Sequence, residues 1–298
     1  MKAKILVTGA TGVVGSNIIK TLVRNNIAVR AGVHKPEKTN YIKAPGVEAV
    51  KLEFGDFATI DAALQGIETL LLITPFAREQ VEFARRMIDR ALLFGVEHII
   101  DLSIMGAQQE PGTQFSRWHR RVEKYIQHST NGFTIVRPNV YMQNFLRYLQ
   151  PFGGFLYMPL NHARVSYIDV RDVALFAATV AMEGRKHWGN TYEITGSRAL
   201  TLDDVADCIS YAIGSHIGYI PISEDTARHV LESLGTPAWM ANGLLELYSM
   251  QRSGQNAGIS TTFEQVTGKQ PIQFEQFVKD SISVFKAIVQ HEHHTYLS

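Results

Sequence analysis

The chain has 298 residues, 45% hydrophobic and 19% charged, which is enough for a large core with a second lobe. A formal net charge of +1 gives no bulk electrostatic case for nucleic acid or an anionic membrane. No apolar run approaches membrane-spanning length, the chain enters its first strand without room for a signal peptide, and the single cysteine, Cys208, forms no internal disulfide. These features point to a cytoplasmic protein in which Cys208 is a buried, inert thiol.

Ile5-Leu6-Val7 is a short apolar run without helical spacing and reads as a buried strand. Gly9, Gly12 and Gly15 follow at intervals of three, and Val14, Ile18, Ile19, Leu22 and Val23 then recur at helical spacing. Strand, glycine turn and helix in this order are what a dinucleotide site needs. Gly9 allows the tight turn, Gly12 lets a pyrophosphate approach the backbone, and Gly15 lets the helix pack closely. The helix start offers free N–H groups and a positive dipole, so Thr8 to Val14 (Thr8, Gly9, Thr11, Gly12, Val13, Val14) together with Gly15 form the candidate phosphate cradle.

Further strands are predicted at 28–33, 47–52, 69–74, 98–102 and 133–136, with helices over 60–64, 79–94 and 117–128 between them. The alternation implies an α/β fold, a doubly wound parallel sheet of Rossmann type. After the second strand an acid is expected to hold the ribose; His34 and Lys35 stand there, and Glu37 comes only after Pro36. A basic pair suits the 2′-phosphate, so NADP(H) is preferred over NAD(H). Asp56, after the third strand, either bonds the adenine amino group or caps the following helix. Pro151-Phe152-Gly153-Gly154 breaks the pattern and divides a core at 1–152 from a smaller, helix-rich lobe at 153–298. Segments near 163–170 and 189–196 are expected to return to the core. A helix follows over 170–182, Thr201 caps another, and helical signal covers 223–253 and 274–289.

The chain resembles the NmrA-like branch of the atypical short-chain dehydrogenases/reductases. The likeness rests on 7–15, Gly55-Asp56, Thr74-Pro75, 103–107, Phe133-Thr134-Ile135-Val136-Arg137-Pro138-Asn139, 165–174 and 190–196. It implies a Rossmann core, NADP binding and no metal. Members of that family include quinone and dye reductases, iminium reductases and non-catalytic NADP sensors, so fold and cofactor carry over better than activity.

Most short-chain reductases use a Tyr-x-x-x-Lys pair. Here Tyr41, Tyr125, Tyr157 and Tyr211 are followed four residues later by Pro45, Ser129, Asn161 and Ser215. His119, near the start of the corresponding helix, either donates a proton or hydrogen bond to substrate or makes a structural contact. Ser103 ends the fifth strand and either bonds a substrate carbonyl or caps the strand. Thr74 and Pro75 flank the expected nicotinamide ribose, next to Phe76. Phe76, Asn139, Tyr141, Met142 and Phe155 are candidates to bind substrate: Asn139, Tyr141 and Met142 line the mouth between the lobes, and Phe155 forms an apolar wall or else belongs to the second lobe's core. His291, His293 and His294 are assigned no function. The expected activity is hydride transfer from NADPH to a small carbonyl, quinone, imine or conjugated acceptor by a monomer or homodimer. The alternative is a non-catalytic NADP(H) sensor. Neither reading involves a nucleic-acid or membrane partner.

Overall fold

Strands of three to six residues, mostly apolar and each too short to stand alone, are stabilised here by lying side by side between two helical layers. The computed structural model describes residues 3–35 and 44–295. Its first half contains β1 (Ile5–Val7), α1 (Val13–Arg24), β2 (Val29–Val33), β3 (Val47–Lys51), α2 (Phe57–Leu64), β4 (Thr69–Leu72), α3 (Gln80–Leu93), β5 (His98–Leu102), α4 (Gln114–Ser129) and β6 (Phe133–Pro138). There follow a 3-10 turn (Met142–Leu146), β7 (Phe155–Met158), α5 (Val170–Glu183), β8 (Asn190–Ile194), α6 (Leu202–Ile213) and β9 (Gly218–Pro221). The helices α7 (Glu224–Ser233), α8 (Ala238–Arg252), α9 (Thr262–Thr267), α10 (Phe274–Asp280) and α11 (Ile282–Thr295) complete the chain.

The large sheet has seven strands in the order β3-β2-β1-β4-β5-β6-β8, and every neighbouring pair is parallel. Period-two alternation divides each strand between the two faces. Ile5 and Val7 enter one core with α1, α5 and Phe263 of α9; Leu6 enters the other with α2, α3 and α4. This is the doubly wound Rossmann-type arrangement that the sequence predicts.

Strand order reverses between β1 and β4, which opens a crevice beyond their C-terminal ends. A third core gathers the 3-10 turn, β7, α6, α8 and α10. It includes Met142, Phe145, Leu156, Phe274 and Phe277, all buried. The parallel pair β7–β9 is absent from the sequence reading, and the strand expected at 165–168 is instead a pair of isolated bridges, Val165 to Leu200 and Tyr141 to Ile168. The long helical signal at 223–253 is two helices because Gly235 takes a φ of 72° and Pro237 follows it.

Candidate functional site

The glycine turn lies at the sheet's crevice, and its three glycines do different work. Gly9 has a φ of 57°, a left-handed conformation that a side chain disfavours. At Gly15 a Cβ would stand 2.3 Å from the Gly9 carbonyl oxygen, so the helix can approach the turn only without one. Gly12 is different: it is exposed, its φ of −74° suits any residue, and a Cβ would meet only the Gly9 oxygen, at 3.2 Å. The space beyond Gly12 is therefore open to a ligand. Gly12 N–H is bonded to the Gly9 oxygen at 2.9 Å, and α1 then begins with no side-chain cap and no acidic residue in its first turn. The N–H groups of Val13, Val14 and Gly15 open a helix whose positive end carries no acidic residue of its own first turn. That cradle fits a pyrophosphate.

Thr8 is fully buried, and its hydroxyl donates to the Ile73 oxygen at 2.9 Å and accepts from the Ile73 N–H at 2.7 Å. It staples the end of β1 to the end of β4 and fixes the crevice. Its hydroxyl is thus engaged within the fold and is not turned to a cofactor. Thr11 is half-buried within the turn. His34 and Lys35 are both exposed just past the end of β2. Pro36 and Glu37 lie outside the described residues, as does Tyr41, and no side chain is described for His291, His293 or His294. Asp56 accepts from the Ala58 N–H at 2.9 Å and caps α2, the second of the two roles open to it from the sequence.

The polar residues expected to face substrate are mostly turned inward. Ser103 is 1% exposed and donates its hydroxyl to Glu123 on α4. Glu123 is itself buried and grips Arg137 of β6 through two bonds, Nε to Oε1 at 2.9 Å and Nη2 to Oε2 at 2.6 Å. Arg137 also reaches Glu193 of β8 at 3.5 Å, and Glu193 accepts from Gln108 Nε2 at 2.7 Å. The network ties the segment after β5 to the sheet. Asp101, two residues before Ser103 on the same face of β5, has one carboxyl oxygen without a partner in the chain. Burial, aided by the negative charge of Glu123, holds its pKa well above the ordinary carboxylate range.

His119 lies on the same buried face of α4, four residues before Glu123. The side-chain amide of Gln80 and His119 Nε2 share a hydrogen bond of 2.9 Å. Nδ1 has no partner in the chain, and neither has Gln80 Oε1. Burial pushes the imidazole pKa down to about 4. The ring is therefore neutral at physiological pH, and the imidazolium proton donor allowed by the sequence does not form there.

Asn139 uses all its polar capacity within the fold. Its amide donates to Ser166 Oγ (2.7 Å) and the Asn256 oxygen (2.9 Å), and its oxygen accepts from Val140 N–H (2.9 Å) and Asn256 Nδ2 (2.7 Å). Met142 is core, and Tyr141 is half-buried beside its bridge to Ile168, its hydroxyl pKa raised by burial. Phe155 packs within the second lobe, its ring where a Cβ on Gly218 would stand 2.7 Å away. The segment after β4 is more open. Thr74 is half-buried, Pro75 is exposed, and Phe76 is 51% exposed. Phe76 packs on Phe115 at 4.6 Å and Trp239 at 5.8 Å. A separate cleft of about 560 Å³ lies between 109–113 and α8, lined by Glu246, Ser249 and Met250 among others and by none of the expected substrate residues.

Gln80, Glu123, Phe115 and Trp118 went unassigned in the sequence. One signal was available: Phe115, His119, Val122 and Ile126 share a helical face, and Glu123 lies on it too, so both polar residues had to be buried and partnered. No group of metal-binding residues occurs among the described residues, and no helix among them is long and apolar enough to cross a membrane.

The comparisons with known proteins agree with this geometry. The chain is 32% identical over 285 residues to an NAD(P)H azoreductase from Xenophilus azovorans, covering 95% of this chain and 99% of that one. The crystal structure of an NADPH-dependent quinone oxidoreductase from Escherichia coli complexed with NADPH superposes with a TM-score of 0.84 at 27% identity, covering 93% of this chain and 99% of the other. A negative transcriptional regulator solved with NAD shares the fold at a TM-score of 0.79 and 15% identity, over 95% and 97% of the two chains. The model of the NmrA-like family matches residues 1–278, and the chain belongs to that family.

Proposed function

We propose that this chain is an NAD(P)H-dependent oxidoreductase that favours NADPH and reduces a small conjugated, carbonyl, quinone or imine acceptor. The observation that carries the proposal is the uncapped start of α1 behind Gly12, at the crevice between β1 and β4. The first-turn N–H groups hold the pyrophosphate there, and the exposed His34 and Lys35 receive the 2′-phosphate. The reduced nicotinamide, when bound, supplies the hydride. The protein's share is to orient the ring against the acceptor beside Thr74, Pro75 and Phe76 and to keep the reaction surface apolar. The azoreductase and quinone oxidoreductase relatives support this class of chemistry.

A second reading, an NADP(H)-binding regulator, is favoured by one observation: the hydroxyl of Ser103 is committed to Glu123, and His119 is neutral and buried. Neither is set up as an acid. An acceptor that needs little protonation at the hydride step reconciles the same observation with catalysis. Anaerobic NADPH oxidation against a panel of quinones, iminium ions and enones separates the two. Turnover with any of them supports the enzyme; tight NADPH binding with no turnover on the whole panel favours the regulator.

A further inference from the structure

Phe76, Phe115, Trp118 and Trp239 form a closed quartet of rings from three separate segments: the exit of β4, the first turns of α4, and the start of α8. Neighbouring centroids are 4.6 Å (Phe76–Phe115), 5.9 Å (Phe115–Trp118), 5.5 Å (Trp118–Trp239) and 5.8 Å (Trp239–Phe76) apart. The base is rigid. Phe115 is 4% exposed and fills the space a Cβ on Gly243 would take, 2.4 Å from its ring. Gln114 clamps the same two helices, its N–H to Glu246 and its side chain to the Trp239 oxygen at 3.1 Å. The top is open, since Phe76 is 51% exposed and the two tryptophans are half-buried.

At the rim stands Arg78, exposed, its guanidinium carbon 5.9 Å from the Trp239 ring centre. Two arginines of α4 have carboxylate partners, Arg117 with Glu246 at 3.6 Å and Arg120 with Glu110 at 3.3 Å. Arg78 has none among the described residues. The four rings are inclined 40–62° to their neighbours, so the cluster offers faces and edges together rather than one flat floor. With an uncompensated cation at its edge it complements a flat, electron-poor ring system that carries an anionic group, one ring face stacking and the others meeting it edge-on.

From this we infer that the quartet is the acceptor shelf and that it selects planar aromatic acceptors bearing a sulfonate or carboxylate, which Arg78 engages. The inference rests on the oxidoreductase reading above. Phe76, its first member, lies four residues past the end of β4, one of the two strands that border the crevice.

The test uses the full chain with NADP+ bound, so that no turnover occurs. Anthraquinone-2-sulfonate and the neutral 2-(hydroxymethyl)anthraquinone are titrated by calorimetry and by tryptophan quenching. At low salt the sulfonate is expected to bind about two- to fivefold more tightly, the range of an exposed ion pair, with the gap closing as salt rises. Arg78→Gln should make the two probes bind alike. Trp239→Leu should weaken both about two- to tenfold, the loss of one aromatic contact. Trp188→Phe, which removes the one tryptophan outside the quartet, should leave the quenching intact.

Equal affinities in the unmodified protein overturn the inference, as does a preference that survives Arg78→Gln. Unchanged affinities in Trp239→Leu with a lower melting temperature identify the quartet as a seam between helices only. Since these are binding measurements, failure of NADPH turnover would count against the oxidoreductase reading alone.

Discussion

Two glycines three residues apart should fail in opposite ways when given a side chain. At Gly15 the new Cβ would lie 2.3 Å from the Gly9 oxygen, where ordinary contact begins at 3.4 Å, so turn and helix must separate by about 1.1 Å (3.4 − 2.3). Overpacking of this kind costs about 1–3 kcal/mol or more, which lowers the melting temperature of a chain this size by about 2–10 °C. At Gly12 the nearest atom is 3.2 Å away and the φ of −74° is ordinary, so Gly12→Val loses only the modest difference between glycine and valine at an N-cap, about 1 kcal/mol. Its branched side chain instead fills the open side of the turn. Each charge-assisted bond from a helix N–H to a phosphate is worth about 1.5–3 kcal/mol, or about ten- to hundredfold in Kd. Loss of one or two such bonds should weaken NADPH binding by about tenfold to ten-thousandfold. The assay is a pair of NADPH titrations beside two melting curves. The cradle assignment would be refuted if Gly12→Val bound NADPH within threefold of the unmodified protein, or if Gly12→Val melted as early as Gly15→Ala while losing no more affinity.

Three further outcomes are expected. Lys35→Ala and His34→Ala should each narrow the preference for NADPH over NADH, and so should added salt, as read by cofactor titration; a preference for NADH in the unmodified chain would reverse the assignment. With its pKa near 4, His119 should show no ring titration between pH 5.5 and 9 by NMR, and His119→Gln should leave the pH profile of turnover unchanged in shape; a midpoint near 6.5 would place the ring in solvent. Asp172, whose carboxylate accepts from the Ile272 N–H at 2.8 Å, is pushed up to about 7, first by burial. Because the folded value lies above the unfolded 3.8, the stabilisation is complete below about pH 4 and is lost as pH rises through 7, an interval worth up to about 4 kcal/mol. Asp172→Asn, which keeps an acceptor for Ile272, should flatten that decline in chemical denaturation, and an equally steep decline in the variant would assign it to other groups.

What the sequence made legible was whatever depends on local order. The glycine turn, the strand and helix that flank it and the cap at Thr201 each follow from residues within one turn of each other, and Thr201 indeed forms a full capping box with Asp204. Direction was harder. Ser103, His119 and Asn139 are residue types that suit a reaction centre, yet each is turned to a partner distant in the chain: Glu123, Gln80 and Asn256. Residue type records what a side chain can do, whereas its orientation is set by strand register and by which helix lies across from it. The pair β7–β9 was invisible for a related reason. Phe155 pairs with Gly218, and parallel strands so far apart carry no turn signature between them. The aromatic quartet, drawn from three segments, is equally non-local.

The interleaving of the cores has a mechanical consequence. The chain leaves the large sheet after β6, returns for α5 and β8, departs again for α6 to α8, comes back so that Phe263 packs beside α5, and leaves once more into α10. Two bodies joined by a single tether can swing freely, whereas two bodies stitched by repeated passes of the backbone hinge only if every pass bends together. A proteolytic nick at the exposed Leu234-Gly235 tip should likewise leave the two fragments associated, since each would still be threaded through the other's core.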